Sequence, residues 1–374
     1  MHPLIALGIG CVVAWAVRTG VRVEGEQGYA QPGLGWWRIV AGAAGALYPY
    51  SDIVLKFVGQ GAYLQMAYGV MWALPLIPFH AVVVAGVLRT VSGRNFGDLY
   101  IATVAAMGTT VLLALLTDDG IAPLALLWDG RVGLKVLYDF DALILGLSVL
   151  SLMVGGIFYP FRHYVARMGL VCVGLYILST AGFAWQARGV GHNHVAAAKL
   201  ENASVVALPQ PLSPLNWRIV ITDGQGFVHD ALVNLKRTAP VKLPETGATR
   251  AARIDALYRP VSLAEWRVYD RFGAAGNDTP AQRTRAERAY GAWRDTPFEW
   301  FARYAVYDGV LEKPLAGGQA VCVKFVDIRF EGARDRAKGE YAVCPSALGR
   351  ARVFKPYGDS SYVELVPVMS VGSL

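Results

Sequence analysis

The chain is short of charged residues. They make up 17% of its 374 residues, against roughly 25% in an ordinary soluble domain. The shortage is concentrated in the first half. Residues 1–190 contain 11 Lys and Arg with 9 Asp and Glu, while residues 191–374 contain 24 and 19. This division predicts two modules, a membrane-embedded first half and a soluble second half.

The sequence also lacks a basic stripe and any nucleic-acid-binding motif, although its formal net charge is +7. In the first half the basic residues lie near the ends of apolar runs, where cytoplasmic lipid headgroups favour them. In the second half basic and acidic residues are mixed, as on a solvated surface. We therefore expect membrane lipids as partners, and no nucleic acid.

Six apolar runs approach the length of a membrane-crossing helix, which needs about 20 mostly apolar residues. The first run is short. It lacks the basic start and the small-residue cleavage site of a signal peptide, so we interpret it as a helix. The predicted spans are 3–17, 36–57, 70–88, 99–116, 142–160 and 169–186.

Arginines in the short loops predict the orientation of these spans. The first, third and fifth loops are basic and contain Arg18 and Arg22, Arg89 and Arg94, and Arg162 and Arg167. The second loop carries little charge, and the fourth is largely acidic. The odd-numbered loops should therefore face the cytoplasm. We expect a multi-pass bacterial inner-membrane protein whose C-terminal domain is periplasmic.

The second half carries strand and helix patterns of its own. The segment LPQPLSP indicates an extended, proline-containing connector over 189–215. The stretch WRIVITDGQGFVHDALVNL predicts two strands joined by the turn DGQG. Residues 261–306 have a helical pattern, and strand patterns return at 319–331, 338–344 and 350–368.

The predicted fold is therefore mainly α. It comprises a helical transmembrane domain of about six spans over 1–188, the connector, and a small α+β extramembrane domain over 216–374.

The four cysteines fall into two pairs. Cys11 and Cys172 lie in apolar runs and are interpreted as small core residues. Cys322 and Cys344 lie in alternating stretches that resemble strands. A disulfide between neighbouring strands fits an oxidising compartment, and two free thiols are the alternative.

The histidines do not form a clear metal-binding pattern. His192 and His194 make an HxH pair, which on a strand would direct both imidazoles to one face and allow metal binding. Because no carboxylate or cysteine cluster accompanies the pair, a solvated loop is the favoured interpretation. His80 and His163 are interpreted as structural or interfacial residues.

Several segments, in order and over nearly the full chain, resemble one family. MHPLIAL is similar to a Met-Asp-Pro-x-Thr-His opening, and ALYPYSDIVLKF to a Phe-Pro-x-x-Asp segment. YLQMAYGVMWALP resembles Tyr-Leu-x-x-His-Arg-Gly-x-Thr-His-Ser, and GTTVLLALLTDDG resembles a His-x-x-x-Asp helix with its following turn. VLYDFDALI resembles an Ile-Asp-Pro-Leu segment, and LPQPLSPLNWRIVI and FVDIRF resemble the start and end of the C-terminal domain in longer members. These are motifs of the YdjM-like family, LexA-regulated bacterial inner-membrane proteins assigned as metal-dependent hydrolases.

The resemblance implies a metal site built from His and Asp side chains, with an open position for an activated water. Asp52 and Asp141 are retained in this chain. The other ligand positions are replaced by Ala6, Ala67, Trp72, Thr110 and Ala114. Two carboxylates without imidazoles do not make a tetrahedral zinc site. We therefore expect no cofactor and no metal, and a former site filled by apolar side chains.

Three functions remain in competition. The favoured one is a catalytically inactive member that acts as a scaffold or subunit of a membrane complex with protein partners. The alternative is a metal-dependent hydrolase acting on a lipid or envelope ester, with Asp52 and Asp141 as catalytic residues. A divalent ion held there would need further donors, for which the candidates are His2, Asp118, Asp119 and Asp139.

The third function is a transporter. Ionisable residues within a membrane segment suggest one, but Asp52, Lys56 and Asp141 lie at predicted helix ends, and no inverted repeat is evident. Asp52 could equally be a helix-end carboxylate paired with Lys56 one turn later.

Overall fold

The structure is a computed structural model. It describes residues 1–17, 34–57, 68–128, 130–243, 247–273, 280–294, 303–315, 318–330, 339–344, 352–357 and 361–365. The helices are α1 (Pro3–Ala16), α2 (Leu34–Leu47), α3 (Ile77–Ser92), α4 (Phe96–Leu115), α5 (Ala142–Ile157), α6 (Arg162–Ala198), α7 (Arg250–Asp255) and α8 (Pro280–Arg294). The strands are β1 (Ser204–Pro209), β2 (Asn216–Thr222), β3 (Phe227–Asn234), β4 (Arg259–Pro260), β5 (Arg267–Asp270), β6 (Ala305–Leu315), β7 (Gly318–Asp327), β8 (Glu340–Cys344), β9 (Arg352–Tyr357) and β10 (Ser361–Leu365).

The chain divides into two compact units. The helical unit contains Met1–Asp52 and Tyr68–Phe183, and the second unit contains the residues from Ala184 onward. The predicted boundary at residue 188 falls inside α6, which continues to Ala198.

Within the described residues, three helical stretches are long and apolar enough to cross a membrane. They are Leu74–Ser92, Phe96–Leu115 and Tyr159–Ala198, fewer than the six spans predicted from the sequence. At a rise of 1.5 Å per residue, helices as short as α1 (14 residues) and α5 (16 residues) fall short of a hydrocarbon core about 30 Å thick.

Prolines interrupt the regular α-helix in two of the predicted spans. The predicted span 36–57 is α2 followed by a 3-10 stretch, Tyr48–Phe57, which contains Pro49. The predicted span 70–88 begins with two 3-10 turns, the second of which contains Pro75. Proline lacks the N–H that a regular α-helix needs, so an apolar run that contains one does not continue as a single helix.

The helical unit is held together by close contacts between small residues. A Cβ on Gly10 of α1 would lie 2.5 Å from the Cβ of Ala46 and 2.7 Å from the carbonyl oxygen of Gly42, both on α2. A Cβ on Gly42 would in turn overlap the carbonyl oxygen of Gly10. Small residues four apart that let helix backbones touch are typical of helices packed in membranes.

The second unit contains two five-stranded sheets. The first has the order β1-β2-β3-β4, with β5 also paired to β3. Its pairs are antiparallel except β3 with β4. The second sheet is an antiparallel meander in the order β10-β9-β8-β7-β6. The hairpin predicted around DGQG is confirmed as β2 and β3, and the late strand patterns correspond to β7–β10.

Two predictions for this unit are wrong in part. Of the helical pattern over 261–306, the described residues form the α-helix α8 and one 3-10 turn, Val261–Leu263, whereas Arg267–Asp270 forms β5 and pairs with β3. The connector predicted over 189–215 includes the last residues of α6 and the whole of β1. The apolar residues of β1 pair with β2 along its length, and Pro209 is tolerated because β1 is an edge strand.

The cysteines differ between the two units. Cys322 of β7 and Cys344 of β8 are disulfide-bonded. Cys11 is a buried free thiol, as expected for a core residue, but Cys172 is exposed on α6.

The packing of α1 on α2 gives a first prediction. Gly42→Ala should lower the free energy of unfolding by about 1–3 kcal/mol, because the added methyl meets backbone that cannot move aside. The control is Gly108→Ala on α4, where no described atom lies within 4 Å of the added Cβ. Thermal unfolding in detergent measures both; equal midpoints for the two variants would contradict the contact.

A second prediction concerns the end of α6 that packs on the first sheet. A Cβ on Gly191 would overlap Val205 and lie 2.9 Å from Cγ2 of Ile219. Gly191→Ala should therefore destabilise the protein, since β-branched side chains have little rotamer freedom to yield. Gly189→Ala, two residues earlier and with no described atom within 4 Å, should be neutral or stabilising. Comparing their protease resistance tests the packing.

Candidate functional site

The positions implied by the family resemblance meet in the core of the helical unit. Ala6 of α1, Trp72 of the 3-10 turn Val70–Trp72, and Ala114 of α4 belong to one buried apolar cluster. Thr110, one turn before Ala114, is also fully buried. Ala67 lies outside the described residues. The motif positions Ala6, Trp72 and Ala114 thus lie in one cluster of the fold, and none of the three side chains is a metal ligand.

Asp52, one of the two acidic residues considered as possible ligands, lies beside this cluster and is only 6% exposed. Its Oδ2 accepts hydrogen bonds from the Tyr68 backbone N–H at 3.0 Å and from the Trp72 indole Nε1 at 3.1 Å. Trp72 is fully buried, with the ring of Tyr50 packed against it edge to face at 4.9 Å. An indole therefore occupies space beside the carboxylate and donates to it. The side chain of Lys56, the other expected partner, is not described.

Tyr68 has a backbone conformation that a non-glycine residue rarely adopts. Its φ is +60°, which costs an L-residue roughly 1–2 kcal/mol. Hydrogen bonds hold it on both sides, from its N–H to Asp52 and to its carbonyl from Ala122 N at 2.8 Å. In this segment Tyr68, and not the neighbouring Gly69, has the positive φ.

Asp141, the second acidic residue considered as a possible ligand, caps α5. Its Oδ1 accepts from the N–H groups of Leu143 and Ile144 at 3.0 and 3.2 Å, and its Oδ2 accepts from the hydroxyl of Tyr176 at 2.6 Å. An N-cap carboxylate satisfies N–H groups that have no partner within the helix. Tyr176 on α6 was not anticipated from the sequence, since it is 35 residues away.

The other donors considered for a metal also have structural contacts. His2 caps α1 by accepting from Leu4 N–H at 3.3 Å, and its ring packs on Phe140. The carboxylate of Asp139 pairs with the amino group of Met1. Asp118 is buried and Asp119 half-buried in the turn after α4. Nowhere in the described part of the chain do three His, Cys, Asp or Glu side chains gather as metal ligands would.

The HxH pair is not on a strand, contrary to one of the alternatives considered. His192 and His194 both lie on α6, where residues two apart face different directions. His192 is exposed, and His194 stacks on Trp266 with ring centres 3.8 Å apart. His80 on α3 packs against the ring of Tyr48 at 5.1 Å.

Comparisons with protein-family models, with curated proteins and with solved structures found no match. The likeness to the YdjM-like family therefore rests on the sequence motifs. The fold itself defines a class: a mainly helical protein with a C-terminal β-sheet region, whose described residues include three helices long and apolar enough to cross a membrane.

The Asp52 contacts give a third prediction. Asp52→Ala would leave the Trp72 indole and the Tyr68 N–H buried without their acceptor, so the free energy of unfolding should fall by about 2–4 kcal/mol. Asp52→Asn keeps a carbonyl oxygen and should cost less. Thermal unfolding in detergent compares the two variants. Equal stability of Asp52→Ala and the unsubstituted protein would contradict the hydrogen bonds described here.

Proposed function

We propose that this chain is a YdjM-like inner-membrane protein that has lost hydrolase activity and serves as a scaffold or subunit of a membrane complex. One observation carries the proposal: Trp72 fills the position beside Asp52 and hydrogen-bonds its carboxylate. A zinc hydrolase needs an open coordination position and several N or O ligands. Here the space next to the carboxylate is taken by a side chain that cannot bind a metal.

The use of Asp141 supports the same proposal. Both of its carboxylate oxygens accept protein hydrogen bonds, from the start of α5 and from Tyr176. A carboxylate with these roles contributes to holding α5 against α6. In the proposed function Asp52 and Asp141 stabilise the helical unit, and the surface of the molecule binds the other subunits of the membrane complex.

We further propose that all six predicted segments cross or enter the inner membrane and contact its lipids. Along α3 and α6 many large apolar side chains are exposed, among them Phe79, Val83, Leu175, Leu178 and Trp185. A soluble surface rarely carries so continuous an apolar area. The basic odd-numbered loops and the disulfide of Cys322 with Cys344 support a periplasmic position for the C-terminal domain, since disulfides persist in oxidising compartments.

The proposal predicts the composition of the protein purified from native membranes without chelators. We expect no stoichiometric transition metal by mass spectrometry, and a partner subunit at a fixed molar ratio after size-exclusion chromatography. The competing function, a metal-dependent hydrolase of lipid or envelope esters, predicts a tightly held metal.

If metal is detected, a pair of variants distinguishes metal bound at a specific site from metal that contaminates the preparation. Asp141→Asn removes a candidate ligand, while Tyr176→Phe removes only the hydroxyl that donates to Asp141. Metal that is lost in Asp141→Asn and kept in Tyr176→Phe would refute the scaffold proposal and favour the hydrolase. A chain that purifies alone, with no partner at fixed ratio, would also count against a subunit role.

A further inference from the structure

The second unit contains a cavity of about 390 Å³, a size found for small-molecule sites. The polar residues that line it are Ser204, Thr222, Arg271, Tyr290, Arg303 and Tyr304. The sequence motifs did not point to it, because its walls come from β1, β2, the end of β5, α8 and the start of β6.

The first sheet forms one wall through its strand alternation. Ser204 of β1 is directly opposite Thr222 of β2, and Val206 is opposite Val220. Residues two apart on a strand share a face. These four side chains therefore line the cavity together, with hydroxyl groups at one end and apolar side chains beside them.

Arg271 is fixed in position by its backbone. Its N–H donates to the carbonyl of Gly226 at 3.2 Å, and its carbonyl accepts from Tyr307 N–H at 3.2 Å. Its guanidinium donates from Nη2 to the Thr222 hydroxyl at 3.3 Å and lies over the ring of Tyr290 at 5.4 Å. The buried Nε makes no hydrogen bond within the described part of the chain. A rigid cation with remaining donor capacity thus faces the cavity.

Asp270, which precedes Arg271 in the chain, and Asp327 at the end of β7 both form ion pairs with other arginines. Asp270 pairs with Arg283 at 3.0 Å, and Asp327 pairs with Arg329 at 2.9 Å. None of the described carboxylates forms an ion pair with Arg271. The guanidinium of Arg303, 5.2 Å from the ring centre of Tyr304, brings a second positive charge to the cavity wall.

We propose that this cavity binds a phosphoryl group, either free phosphate or the phosphomonoester end of a larger molecule. Two guanidinium groups and several hydroxyl groups line the same cavity, and the oxygens of a phosphoryl group can accept more hydrogen bonds than those of a carboxylate. The volume exceeds that of one such anion, and Val206 and Val220 offer an apolar surface to a substituent. The site is separate from the proposed scaffold function and stands without it.

Titration calorimetry on the full chain in detergent tests the site. The probes are inorganic phosphate and dihexanoyl phosphatidic acid, with acetate as the carboxylate control. Saturable binding of either phosphate probe should be weakened at least about tenfold by Arg271→Gln, since a charged hydrogen-bonding partner is lost. Arg250→Gln, on the exposed surface of α7, should leave binding unchanged.

The two probes distinguish the source of the phosphoryl group. Binding of inorganic phosphate indicates a free anion, whereas binding of the short lipid alone indicates a phosphomonoester or headgroup. Absence of binding to both probes, tighter binding of acetate, or equal binding by the unsubstituted protein and Arg271→Gln would overturn the proposal. If Arg271→Gln does not fold, Arg303→Gln provides the same comparison.

Discussion

A carboxylate buried among apolar helices needs hydrogen-bond donors. For Asp52 the segment from Tyr68 to Trp72 provides them. Tyr68 adopts a positive φ so that its N–H and the Trp72 indole both reach Oδ2. The same short segment is hydrogen-bonded to the turn after α4. The Ala122 N–H donates to the Tyr68 carbonyl at 2.8 Å, and the Leu74 N–H donates to the Pro123 carbonyl at 2.9 Å. One unsatisfied carboxylate would cost more than this local strain.

A buried carboxylate can be stabilised in two ways, by a cation such as a metal ion or by N–H and O–H donors of the protein. In this chain the Tyr68 N–H and the Trp72 indole donate to Asp52, and helix N–H groups and the Tyr176 hydroxyl donate to Asp141. The large Trp72 shares its cluster with the small Ala6 and Ala114. Trp72 thus belongs to the apolar core and also donates a hydrogen bond to a buried carboxylate.

The sequence predicted those elements of the fold that depend on a local pattern of apolar and polar residues. Apolar runs located the helices and alternation located the hairpin of β2 and β3, but helix ends depended on prolines such as Pro49 and Pro75 inside the runs. The strand β5 was missed because its hydrogen bonds go to β3, about forty residues earlier, and no local pattern records that pairing. The partner of Asp141 was missed for the same reason, since Tyr176 reaches it from another helix.

The two units differ in how they use charge. In the helical unit few charged groups are present, and the acidic side chains proposed as ligands serve as caps and hydrogen-bond acceptors. The second unit buries Arg218 and Asp230 as a pair and leaves Arg271 without a carboxylate in the described residues. A cation held rigid beside a cavity has unused capacity to bind an anion. Ligand recognition in this molecule is therefore better sought on the sheets of the second unit than at the positions that the family motifs mark.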